Sequence, residues 1–149
     1  MDKKGWILTE LVVIIVVLGI VCGFAIPAYR NQIRRANLKS AREDIISTLR
    51  LAQVRATSER VIYRVNFNSG DSTYQIGNDP DGDGTFAYEA IQTLPQGISF
   101  VTTSTYFEFL PDRTINIPFS DVIITNGSGS VRFFVTGGTG YKIEVAGTI

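Results

Sequence analysis

The sequence predicts an α+β fold: one long N-terminal helix, transmembrane in its first half and amphipathic in its second, packed on an antiparallel β-sheet domain. Three observations carry this expectation. Residues 11–26 contain no polar side chain, and with their neighbours they make a stretch of about 20 residues, the length that crosses a bilayer. Leu38, Ala41, Ile45, Leu49, Ala52 and Ala56 then recur at steps of three and four, an apolar stripe along an otherwise polar helix. From Val61 onward the period changes to two, as Val61, Tyr63, Val65 and Phe67 alternate with Ile62, Arg64 and Asn66.

The bulk composition narrows the function classes. The chain has 149 residues with 14 basic and 14 acidic side chains, so no net field points to nucleic acid or to an acidic partner. It contains no histidine, the commonest general base and transition-metal ligand. No nucleophile–base–acid set stands out in the spacing, so an enzyme is not expected. Cys22, the single cysteine, lies in the apolar run and can form no intramolecular disulfide.

The order of segments follows from these patterns. Residues 1–5 form a short leader, 6–28 the transmembrane helix, 29–60 the amphipathic continuation and 61–149 a β-rich globular domain. The apolar run is too long for the core of a cleaved signal peptide, and Ala25-Ile26-Pro27 makes a poor cleavage site. Pro27 is expected to kink or locally melt the helix by removing one backbone bond. Residues 30–60 carry eight basic side chains against Glu43, Asp44 and Glu59. Beyond Val61, strand-like runs fall at 72–76, 86–94, 98–102, 106–110, 114–119, 122–125, 131–136 and 141–145. Turn signals such as Pro95-Gln96-Gly97, Pro111-Asp112 and Gly137-Gly138 separate them.

Glu10 is the anomaly. A carboxylate in an apolar helix costs about 2.5 kcal/mol or more at bilayer depth and normally has a partner. No Lys or Arg occurs between Trp6 and Tyr29, so the partner must come from another chain or from processing. Cleavage after Gly5 would create an ammonium at Trp6, one helical turn from Glu10, and a neighbouring subunit's ammonium could then fix register.

Lys3-Lys4-Gly5 followed by Trp6-Ile7-Leu8-Thr9-Glu10-Leu11 resembles the processing site of the type IV pilin superfamily. Gly19 and Pro27 fall where that family's helix carries its flexible glycine and its proline. Two positions depart from the pattern: Trp6 replaces the usual phenylalanine, and the polar threonine is Thr9, beside the glutamate. The order of later parts is similar to the GspH/FimT branch of minor pilins and pseudopilins, through Leu94-Pro95-Gln96-Gly97-Ile98-Ser99-Phe100, Phe109-Leu110-Pro111-Asp112 and the hairpin over 122–132.

The resemblance implies a pilin-like fold and a prepilin peptidase substrate, cut between Gly5 and Trp6 with methylation of Trp6. It further implies pilus assembly with other pilin or pseudopilin subunits, on an inner-membrane assembly platform, into a type IV pilus or a type II secretion pseudopilus. Glu10, Gly19 and Pro27 would serve assembly. The implied localisation is single-pass in the inner membrane with an extracytoplasmic C-terminal domain. The basic residues flanking the run, taken alone, favour the opposite orientation. A filament-tip binding module and an unprocessed single-pass membrane protein with a periplasmic β-domain are the alternatives.

Three further stretches raise a ligand question. Asp79, Asp81 and Asp83 followed by Gly84 match the opening of an EF-hand-like Ca²⁺ loop, with Glu89 one residue away from the closing position, occupied by Ala90. The same Asp-Gly-Asp-Gly run also suits a hairpin turn. The basic stretch 30–60 could meet DNA phosphates, yet Gly140-Tyr141-Lys142-Ile143-Glu144 stands where DNA-binding relatives carry a basic ending, so DNA is not expected. Tyr106, Phe107, Phe133, Phe134 and Tyr141 could form an aromatic patch. Adjacent aromatics on a strand face opposite ways, leaving one of each pair outward.

Overall fold

A computed structural model describes residues 3–101, 106–116, 121–127, 129–136 and 142–148. Helix α1 runs Lys3–Glu59 and ends where Arg60 turns into the left-handed region at φ 59°, a common helix stop. The helical assignment continues through Pro27, so the melting expected there is absent. Ten strands follow. They are β1 (Ile62–Asn68), β2 (Thr73–Asp79), β3 (Ala87–Tyr88), β4 (Gln92–Thr93), β5 (Ser99–Phe100), β6 (Tyr106–Phe109), β7 (Ile115–Asn116), β8 (Val122–Thr125), β9 (Ser130–Thr136) and β10 (Lys142–Thr148).

The chain divides into two compact units, Met1–Arg34 and Arg35–Ile149. In the first, the described side chains of residues 8–23 are exposed at every position. In the second, all strand pairs are antiparallel and fall into two sheets. One has the order β3-β2-β1-β6-β7, with β4 also pairing with β2; the other has the order β10-β9-β8-β5.

The core of the second unit is built by the two periodicities together. Leu38, Ala41, Ile45, Leu49, Ala52 and Ala56 of α1 are buried with Tyr63, Val65 and Phe67 of β1, Phe107 and Phe109 of β6, Val122 and Ile124 of β8, and Phe133 of β9. Phe67 ties the sheets to each other: its ring meets Phe107 at 5.9 Å and, across to β5, Phe100 at 5.4 Å, both edge-on. The strand expected over 86–94 is instead two short pieces, β3 and β4, that contact opposite ends of β2.

The expected fold class requires correction on two points. Among the described residues no helix is long and apolar enough to cross a membrane. The transmembrane first half and the single-pass inner-membrane localisation are therefore withdrawn. Nor does a long N-terminal helix pack as a whole on the β domain: residues up to Arg34 form a unit of their own, and core burial begins at Leu38. The antiparallel pairing expected of the β domain is present, arranged among the described residues as two sheets. Tyr141, Gly137-Gly138 and the ends of the runs expected over 98–102 and 114–119 lie outside the described residues.

Candidate functional site

The N-terminal candidate begins in the first turns of α1. Gly5 and Trp6 are helical, and Trp6 is 77% exposed. Four residues on, Glu10 lies on the same helix face. Trp6, Thr9, Glu10, Val13 and Ile14 together line a shallow hollow of about 330 Å³. Among the described residues no cation forms an ion pair with Glu10. A carboxylate thus lies one helical turn from Trp6, with aliphatic side chains exposed around it: Leu11, Val12, Val13, Ile14 and Ile15 are each about half exposed. At Gly19 a side chain would meet nothing within 4 Å, so its absence leaves a smooth notch on the helix. Pro27 lies within α1.

The acidic loop is the second candidate, and it is closed on itself. Asp79, at the end of β2, is buried, whereas Asp81 and Asp83 are exposed; one carboxylate oxygen from each lies within 4.8 Å of the others. The Gly82 amide donates to Oδ1 of Asp79 and the Gly84 amide to Oδ2, each at 2.9 Å. Both glycines have positive φ, 74° and 89°, which a side chain would resist. The Thr85 amide donates to Asp83 Oδ1 at 2.6 Å. Desolvation acts to raise the Asp79 pKa, but hydrogen bonds from the Gly84 and Gly82 amides outweigh it and hold the carboxyl below its ordinary value. Three clustered oxygen donors suit a hard cation such as Ca²⁺. Glu89 does not join them: its carboxylate forms an ion pair with Arg55 of α1, and its amide donates to the Ile76 carbonyl.

A third cluster, which the sequence reading did not single out, crosses the outward face of the larger sheet. Tyr88, Gly77, Arg64, Glu108 and Asn116 are successive register partners across β3, β2, β1, β6 and β7. Arg64 donates to Oε2 of Glu108 from Nε at 3.0 Å and Nη2 at 2.6 Å, and Asn116 reaches Oε1 at 3.5 Å. The guanidinium carbon lies 3.8 Å from the Phe86 ring centroid and 4.3 Å from that of Tyr106. A sequence signal was available, since Arg64 occupies an outward position of an alternating strand. Its partners, 44 residues away in the case of Glu108, were not readable locally.

The remaining candidates separate by burial. Phe107 and Phe133 are core residues while Tyr106 and Phe134 are half-buried, so the aromatics do not form one patch. Of the basic stretch, Arg55 is paired with Glu89, and the buried Nε of Arg42 has no hydrogen-bond partner among the described residues. In comparisons with known proteins, no protein family, no curated protein and no solved structure matches the chain. The classification terms expected from the N-terminal resemblance, from type IV pilin to type II secretion, therefore have no matching relative behind them.

Proposed function

We propose that the chain is a structural subunit of the minor pilin or pseudopilin kind, cleaved between Gly5 and Trp6 by a prepilin peptidase and assembled through its N-terminal helix into a helical filament with other such subunits. The observation that carries this reading is the first unit itself. A helix apolar on every side is stable in water only when something covers it, and residues 8–23 are exposed all round. Neighbouring copies of the same helix are the natural cover, and a head-to-tail contact that does not close propagates as a filament. Glu10 makes that packing selective: without an ion-pair partner among the described residues, its burial is offset only by a cation placed at the right axial position. Cleavage after Gly5 supplies that cation as the ammonium of Trp6. The β domain, folded on its own core from Leu38 onward, would then be carried on the outside.

The test is substitution of Glu10 by alanine or glutamine in cells making the filament. The proposal expects normal processing and normal folding of the β domain, with subunits lost from sheared filaments. Undiminished incorporation of both variants would remove the argument for Glu10 as the register residue. A filament-tip binding module remains the second reading, distinguished by copy number per filament.

A further inference from the structure

The hairpin of β1 and β2 carries a cleft of about 420 Å³ on its outward side, within the size range of small-molecule pockets. Because β1 alternates, Asn66 and Asn68 stand opposite the buried Val65 and Phe67. Register then sets Asn66 between Gln75 of β2 and Tyr106 of β6, and Asn68 beside Thr73. Asn66, Asn68, Asp71, Thr73 and Gln75 line the cleft, with Ile91, 66% exposed, as its apolar wall. Asn68 shapes the turn, donating to Asp71 Oδ2 at 2.8 Å and accepting from the Gly70 amide at 3.1 Å. The side-chain amides of Asn66 and Gln75 have no hydrogen-bond partner among the described residues.

The lining chemistry selects the ligand class. An anion would need a cation, and none is among the residues that line the cleft; Arg64, two residues from Asn66 along β1, is engaged by Glu108. A metal ion would need more than the single carboxylate of Asp71. An added peptide strand needs an open sheet edge, but β1 and β2 are interior strands with neighbours on both sides. What remains is a pair of adjacent primary amides, each offering a donor and an acceptor, beside a hydroxyl and an exposed aliphatic surface. Hydroxyl groups donate and accept in the same way, and the aliphatic surface suits the C–H face of a sugar ring. We infer that this cleft binds a neutral glycan. The inference stands apart from the filament reading, since it uses only the second unit.

The full chain, labelled with ¹⁵N, is titrated with neutral tetrasaccharides of glucose, of galactose and of N-acetylglucosamine, to about 10 mM, ten times the ~1 mM Kd of a weak site. A saturable shift of the Asn66 and Gln75 side-chain amide signals is expected with at least one of them. Asn66→Ala and Gln75→Ala should each weaken that binding about ten-fold while the thermal midpoint stays within about two degrees. No shift with any of the three sugars would overturn the inference, as would unchanged affinity in a folded Gln75→Ala protein. A shift of these amides by an anionic polymer or a peptide instead of the sugars would overturn it as well.

Discussion

Replacing Leu49 by alanine is expected to destabilise the second unit far more than replacing Leu51, two residues along the same helix. Leu49 is 0% exposed, inside the core shared by α1 and the strands, whereas Leu51 is 44% exposed. A buried Leu→Ala change costs about 2–5 kcal/mol through lost transfer energy and the cavity left behind. At a half-exposed site with no cavity the cost is about 1 kcal/mol or less. With a urea m-value of about 2 kcal/mol/M, a mid-range loss of about 3 kcal/mol moves the Leu49→Ala midpoint down by about 1.5 M, and Leu51→Ala by less than about 0.5 M. The assay is near-ultraviolet circular dichroism of the tyrosines during urea titration of the full chain. Tryptophan fluorescence is unsuitable because Trp6 lies in the other unit. Equal midpoint shifts for the two variants would refute the assignment of this helix face to the core.

Other outcomes follow from the same geometry. Glu108→Ala leaves the Arg64 guanidinium half-buried without its carboxylate and should cost about 1–3 kcal/mol by urea titration; Glu108→Gln should recover part of it. Gly147→Ala should lower the folding stability by about 2 kcal/mol or more in a urea titration, because its Cβ would lie 2.2 Å from the Ser130 carbonyl oxygen at φ +152°. Asp79 is held below its ordinary pKa, so the unfolded chain takes up its proton first as the medium acidifies. That contribution is complete above the ordinary aspartate value of about 3.9 and is lost as pH falls through the lower folded value, so Asp79→Asn should flatten the acid limb of a stability–pH profile. Because both Asp79 oxygens already accept backbone amides, the loop should stand without metal, and EDTA should leave the thermal midpoint within about one degree. A clear fall on chelation would reveal a resident ion.

Local periodicity was the most readable part of the sequence. The stripe from Leu38 to Ala56 and the alternation in β1 depend only on neighbours three, four or two residues away, and every stripe residue is buried. Distant partnerships were not legible. The division of the strands into two sheets depends on pairs such as Phe100 with Ile124, and the break between β3 and β4 on both stretches contacting the one strand β2. Hydropathy alone overcalled the N-terminal run: it assigned residues 11–26 to a bilayer from their side chains, yet among the described residues no helix is long and apolar enough to cross one. At the acidic loop, the sequence placed Asp79, Asp81 and Asp83 together but could not show Glu89 turned toward Arg55, since that contact spans 34 residues. The Arg64–Glu108 row and the Asn66–Gln75 cleft escaped for the same reason.

The central claim is that this chain is a processed filament subunit, and the intact mass of the protein tests it most directly. Mass spectrometry of the full chain, expressed with and without a prepilin peptidase, is predicted to show loss of residues 1–5 and gain of one methyl group only when the peptidase is present. An unchanged full-length mass in both samples would contradict the account, leaving Glu10 without the cation on which register depends.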